Sequence, residues 1–352
     1  MNERRALLDR PFGTGFFVTL GGLVAVAIGV AVSNLSTVLI AIAFALFAAL
    51  GLNPVVRNLQ RLGVTRGWAI TIVYAGLAIV LAGVLVVVLP TAVSQIAQFV
   101  RSVPHLVADF QKTSAYTWLV ATFGVDVNTL VSDVQSYLTR ADTITTIGKG
   151  ALQIGGTVAA SVSGTIVALV LSLYFLAALP AMKAALARLF PARVRAKVVE
   201  LTDDIADSVG GYVVGMVVLA FCNAVVALVL HLALQLKYPM LMAVVAFLLT
   251  LIPLVGSVLY WIVASSLALF SGWVPALLFA AIYLVYMQLE AYVLTPKVMN
   301  RAISVPGALV VIGALIGGTI LGLLGALVAV PVTASLLIIA KQVLLPRQDA
   351  KT

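Results

Sequence analysis

The chain has 352 residues, 63% of them hydrophobic and 9% charged, with a mean hydropathy of +1.18 and a formal net charge of +9. A soluble domain carries roughly 25% charged residues, so the solvent for most of this chain is lipid. The positive excess does not mark a nucleic-acid partner, because it is divided among separate loops between apolar segments and forms no continuous stripe.

Apolar segments long enough to cross a bilayer recur at 16–32, 35–52, 68–89, 154–179, 211–234 and 274–294. They read as helices, since a lone span must satisfy its own backbone hydrogen bonds and no segment shows the alternation of a membrane barrel. The predicted fold class is therefore all-α: a polytopic membrane protein of about six full transmembrane helices. Residues 1–90 hold the first three. The basic start with Arg4, Arg5 and Arg10 resembles a signal peptide, but a second apolar segment follows within a few residues, which predicts an uncleaved first helix.

Residues 91–150 break the membrane pattern. Val93, Ile96, Phe99, Val100, Val103, Leu106, Val107 and Phe110 recur at helical spacing with polar residues between them, so an amphipathic helix is predicted, with a kink allowed at Pro104. A second helix is predicted to begin near Asp126 or Asn128 and to present Leu130, Val134, Tyr137 and Leu138 on one face. Together these form a small extracytoplasmic module.

Residues 151–208 hold the fourth span and a second amphipathic stretch. Val194, Val198, Leu201 and Ile205 repeat at steps of four, three and four, beside basic residues first and Glu200, Asp203, Asp204 and Asp207 later. This stretch is expected to lie along the cytoplasmic interface or pack on a neighbour, with a solvated charged face as the other reading.

Residues 209–345 form the predicted transport core. Cys222 is the single cysteine, so no intramolecular disulfide exists, and it reads as a small buried hydrophobe. In 239–270, Pro253 and Gly256 leave two apolar arms of about 21 Å at 1.5 Å per residue, short of the roughly 30 Å hydrocarbon core. Residues 304–340 repeat the theme around Gly317 and Gly318. Both segments are predicted as interrupted or re-entrant hairpins, with single broken crossings as the alternative. The hairpins place every Lys and Arg except Arg101, Lys112, Arg140, Lys149 and Lys237 on one side of the membrane, with both termini, and that side is cytoplasmic by the positive-inside rule.

Interrupted segments of this kind point to a substrate site, because half-helix ends and freed backbone groups can coordinate an ion or solute. The other reading is that the Pro and Gly breaks merely accommodate packing. The glycines at 313, 317, 318, 322 and 325 likewise fit either a hairpin tip or a close helix contact.

Glu290 is the only acidic residue between Asp207 and Asp349, and it ends an apolar, aromatic run. An intramembrane carboxylate is costly, so it faces a partner, a cavity or a transported ion. With Gln288, Asn223 and Ser257 it makes up the candidate substrate- or ion-binding set, beside the breaks at Pro253, Gly256, Gly317 and Gly318, while Pro296 ends the span. The alternative is a structural carboxylate paired with Lys297 or a neighbouring subunit. His231 and His105 read as interfacial residues, with pH sensing the other possibility.

Three runs carry a family resemblance: GGYVVGM at 210–216, YPMLMAVVAFLLTLIPLVGSVL at 238–259, and EAYVLTPKVMNRAISVPGALVVIGALIGGTILGLLGALVAVPV at 290–332. In order, spacing and overall architecture the chain resembles the autoinducer-2 exporter family of bacterial membrane proteins. The resemblance implies an all-helical cytoplasmic-membrane transporter that works as a homo-oligomer, a pentamer. It also implies export of small signalling molecules, or exchange of sodium or lithium for protons. Met216 stands where the family pattern has Gln, which removes a polar contact at that position.

Catalysis is not indicated. The chain has no HExxH, no phosphate-binding P-loop, no GxSxG, and no His or Cys pair for a metal, so neither a cofactor nor a metal is expected. A non-transporting scaffold of the cell envelope is the rival reading; it accounts for the outer module but not for the interrupted C-terminal segments.

Overall fold

The computed structural model describes residues 11–110, 114–124, 129, 141–253, 255–299 and 306–349. Among them the regular structure is entirely helical, and seven helices are long and apolar enough to span a membrane. The predicted second helix of the outer module lies outside the described residues, apart from Thr129.

The first two predicted spans lie on one continuous helix, α1 (Pro11–Arg61), of 51 residues. No turn forms between 32 and 35, since that stretch contains neither Pro nor Gly to interrupt the helical ladder. At 1.5 Å per residue the rod is about 76 Å long. Its 12–30 portion buries nothing, while 40–61 packs into the bundle.

A second rod runs from α2 (Arg66–Gly83) through a π-helical turn (Val84–Val88) into α3 (Leu89–Phe110). The amphipathic helix of the outer module thus continues the third span. It is tied to the C-terminal part of the chain: the Gln95 side-chain oxygen accepts a 2.8 Å bond from the Leu241 N–H, and Ser102 shares a 2.6 Å bond with the Tyr238 hydroxyl. The short α4 (Ser114–Phe123) follows.

The 48-residue α5 (Ala141–Arg188) carries the fourth span, and a turn that includes a 3-10 segment (Ala192–Val194) leads to α6 (Arg195–Ala233). The predicted amphipathic stretch is the first part of α6, continuous with the fifth span. Its acidic residues meet basic ends of other helices: Asp207 pairs with Arg57, Asp203 with Lys183 at 2.6 Å, and Asp204 accepts from Gln342 at 2.8 Å. α1 crosses α6 through small residues. A Cβ on Gly210 would lie 2.9 Å from Pro54 Cγ and 2.5 Å from the Leu50 carbonyl oxygen, and Gly51 leaves no room for a side chain beside Val213.

α6 closes with Gln235 in the left-handed region (φ 53°), where the Leu236 N–H reaches the His231 carbonyl at 2.8 Å and Gln235 N–H the Leu232 carbonyl at 3.2 Å. This C-terminal motif normally selects glycine. His231 is itself buried, with Nδ1 2.8 Å from the Ala227 carbonyl and its ring edge-on to Phe279, so it packs in the core and not at the interface.

The first predicted hairpin is present. α7 (Pro239–Thr250) and α8 (Gly256–Ala268) pack on each other across the Leu251–Val255 turn, and each is too short to cross the hydrocarbon core. Gly256 sits so close to Leu249 and Thr250 that no Cβ fits. α9 (Trp273–Leu289) lies against this hairpin through the fully buried Tyr260, Phe279 and Tyr283, and Trp261 Nε1 donates to the Ala280 carbonyl at 3.0 Å. A π-helical turn (Glu290–Leu294) joins α9 to the short α10 (Thr295–Val298).

The second hairpin is α11 (Gly307–Ile339), folded back at Gly322, where φ is 62° and ψ −146°. The break is at Gly322 and not at Gly317 or Gly318, as expected from the sequence. Gly322 alone in this helix takes the backbone that side chains resist, while the other two lie on the first arm facing the second. A Cβ on Gly317 would lie 3.1 Å from Ala329 Cβ and against the Gly325 backbone, and one on Gly313 would lie 2.7 Å from Thr333 Oγ1. The arms are unequal: 307–319 is short, whereas Gly325–Leu344 has the length of a full crossing. A third π turn (Ala340–Leu344) leads to α12 (Leu345–Asp349).

Each of the π turns ends two residues before a proline, at Pro90, Pro296 and Pro346. Proline lacks the N–H that would close the ordinary turn and its ring crowds the carbonyl four residues back, so the helix widens there by one residue.

Candidate functional site

A cavity of about 630 Å³ opens between α6, the tip of the first hairpin, the π turn at Glu290, α10 and the two arms of the second hairpin. The sequence features that seemed unrelated in the chain converge on it. Pro253, Gly256 and Ser257 come from the first hairpin, Val310 and Val330 from the second, and Tyr212 and Met216 from the GGYVVGM run.

Glu290 is buried, with 8% of its surface exposed, and among the described residues it is the only formally charged side chain on the cavity wall. Ser257 Oγ donates to both of its carboxylate oxygens, at 3.1 and 3.3 Å. Ser257 is the second residue of α8, so the positive end of that half-helix meets the carboxylate. Among the described ion pairs none involves Glu290, and the predicted alternative of a pair with Lys297 does not form. The π turn begins at Glu290 itself, with the Thr295 N–H bonded to the Glu290 carbonyl.

Asn223 is fully buried behind the cavity wall. Its Nδ2 donates to Thr250 Oγ1 at 2.5 Å and its Oδ1 accepts from the Tyr283 hydroxyl at 2.7 Å, while Thr250 in turn donates to the Ala246 carbonyl at 2.7 Å. This relay joins α6, the first hairpin and α9. Thr250 lines the cavity; Asn223 reaches it only through Thr250.

Gln288, predicted as a member of the site, is exposed on the outer face of α9 and does not line the cavity. Helical geometry explains the correction: residues two apart are turned by about 200°, so the face that buries Glu290 carries Tyr283 and Tyr286 and turns Gln288 outward. Gly317 and Gly318 do not line the cavity: Gly317 packs closely against the second arm, while Gly318 leaves room for a side chain. Met287 and Met299 join Met216 on the wall, adding flexible apolar surface. Among the described residues the buried Tyr212 hydroxyl has no hydrogen-bond partner. Sequence reasoning passed over Thr250, Tyr212 and Tyr283. Of these, Tyr283 was findable, lying two helical turns before Glu290 on the same face.

Chemically, the cavity offers one carboxylate, a few hydroxyls and otherwise apolar walls. That set can hold a proton, a cation, or a small hydroxylated solute whose apolar part rests on the methionines. Among the described residues no group of three or more His, Cys, Asp or Glu is placed to hold a metal ion.

The sequence model of the AI-2E family transporter matches residues 17–344. A Mycobacterium tuberculosis protein named as a transport protein is 28% identical over 328 residues, covering 91% of this chain and 86% of its own. The Escherichia coli AI-2 transport protein TqsA is 25% identical over 323 residues, covering 91% and 90%. A Haemophilus influenzae protein also named as a transport protein is 24% identical over 323 residues, covering 90% of each.

Proposed function

Because this chain belongs to the AI-2E family of membrane transporters, we propose that it is a secondary transporter of the bacterial cytoplasmic membrane with its substrate site at Glu290. It moves a small polar metabolite or signalling molecule, or exchanges a cation for protons. One observation carries the reading: a single carboxylate on the wall of a 630 Å³ cavity, met by the start of one half-helix and flanked by both hairpins. A scaffold without transport has no use for such a cavity.

In this mechanism Glu290 alternates between holding a proton or cation and releasing it, and Ser257 keeps the carboxylate turned toward the cavity. The two hairpins close it from either side in turn. The C-terminus lies with the basic turns on the cytoplasmic side, while the unbroken α1 carries Pro11 away from Arg61 toward the opposite face. The apolar outer faces of the helices meet lipid and further copies of the chain in a homo-oligomer.

The test is flux into sealed vesicles. Glu290→Gln preserves size and hydrogen bonding but removes the charge, so it is expected to abolish ion- or pH-dependent flux while insertion and assembly stay normal. Survival of that dependence in the variant sinks the role assigned to the carboxylate. Absence of any flux in the unaltered protein, across metabolites and cations alike, sinks transport itself.

A further inference from the structure

The end of the bundle that carries the basic turns holds a second cavity, of about 250 Å³, remote in function from the Glu290 site. Asn53, Arg57, Arg66, Lys183, Asp203 and Asp207 line it, drawn from α1, α2, α5 and α6. Two of the three cations are matched by carboxylates, Arg57 by Asp207 and Lys183 by Asp203. Arg66 is not. One terminal nitrogen donates to the Leu176 carbonyl at 2.6 Å, and its buried Nε has no partner among the described residues.

Asn53 is 4% exposed, and among the described residues its amide makes no hydrogen bond although it lines the cavity. Buried donors without partners are costly, and a cavity with one more cation than carboxylate favours an anion. Guanidinium and amide N–H groups are the donor set that recognises tetrahedral oxyanions. The basic turns at this end, read with the positive-inside rule, put the cavity near a membrane surface. Trp68, two residues after Arg66, is 69% exposed, and tryptophan concentrates where lipid headgroups begin.

We propose that this cavity binds a phosphate group, held by Arg66 and Asn53 with Arg57 and Lys183 at the rim. Its place at the headgroup level makes an anionic phospholipid the source. Binding there joins α1, α2 and α5 to α6, whose middle walls the Glu290 cavity.

Native mass spectrometry of the purified full-length protein, in micelles containing equal phosphatidylglycerol and phosphatidylcholine, provides the test. Phosphatidylglycerol is expected to be retained preferentially. Losing one cation near a lipid surface corresponds to about a fivefold change in affinity, so Arg66→Gln, compared at a temperature where it stays folded, should lose about that much retention. Asp203→Asn removes an opposing carboxylate and should raise retention by a similar factor. Displacement of the lipid by millimolar inorganic phosphate identifies a free anion as an equal source of the same group; retention of the lipid against phosphate identifies the headgroup. Equal retention of both lipids with no binding of inorganic phosphate overturns the proposal, as does a folded Arg66→Gln that binds like the unaltered chain. Should Arg66→Gln fail to fold, Asp203→Asn decides: stronger retention supports the site, and unchanged or weaker retention refutes it.

Discussion

Arg66 repairs the defect that Pro180 makes in another helix. Pro180 has no N–H to offer the carbonyl of Leu176, four residues earlier in α5, and the Arg66 guanidinium donates to that carbonyl at 2.6 Å instead. Arg66→Met is expected to lower stability by about 1.5–3 kcal/mol, the range for a hydrogen bond from a charged donor. In a Pro180→Ala background the Leu176 carbonyl regains its helical partner, so the same substitution should cost distinctly less. Thermal unfolding in detergent across the four-protein cycle measures that difference; equal costs in both backgrounds contradict the pairing.

Glycines in this protein separate into close contacts and open positions. Gly210→Ala would push a methyl group to within 2.9 Å of Pro54 Cγ and 2.5 Å of the Leu50 carbonyl oxygen, whereas Gly318→Ala would meet nothing nearer than 3.9 Å. The first should destabilise by about 1–3 kcal/mol through overpacking. The second should be neutral or slightly stabilising, because alanine favours a helix by about 1 kcal/mol over glycine. Melting temperatures of the two variants in the same detergent check the contrast.

The relay from Tyr283 through Asn223 to Thr250 predicts an asymmetry between substitutions. Asn223→Leu strands the buried Tyr283 hydroxyl, which should cost about 1–3 kcal/mol in stability. Tyr283→Phe in the same background removes the stranded group and should recover part of the loss. A double-mutant cycle on unfolding midpoints reads the coupling, and strictly additive effects would contradict the hydrogen bond.

Accessibility distinguishes the cavity wall from the lipid face. In a Cys222→Ala background, cysteines replacing Ser257 and Met299 should react with a small water-soluble thiol reagent in membranes. One replacing Gln288 should react at least about tenfold more slowly, because thiolate formation needs water around the sulfur. Comparable rates at all three positions would place Gln288 back in the aqueous pathway.

Much of the fold was legible in the sequence because a bilayer leaves few options. Apolar length identifies the spans, and the shortness of the arms around Pro253 and Gly256 identifies the first hairpin. Glu290 was equally legible, since a lone acidic residue in an apolar helix must be compensated, and the run of glycines announced a second hairpin. Which glycine turns the chain was not readable. Gly317, Gly318 and Gly322 are alike as residues, and only the facing arm decides which must lack a Cβ and which must take a positive φ. Two further features were readable by local rules: 32–35 holds no Pro or Gly to break the rod, and Gln288, two residues before Glu290, falls on the opposite helix face. The tertiary structure also decided that Ser257 answers Glu290 and that Arg66 answers Leu176. Those pairs lie 33 and 110 residues apart, and hydrogen bonding across such separations is set by how helices pack, which side-chain type alone does not specify.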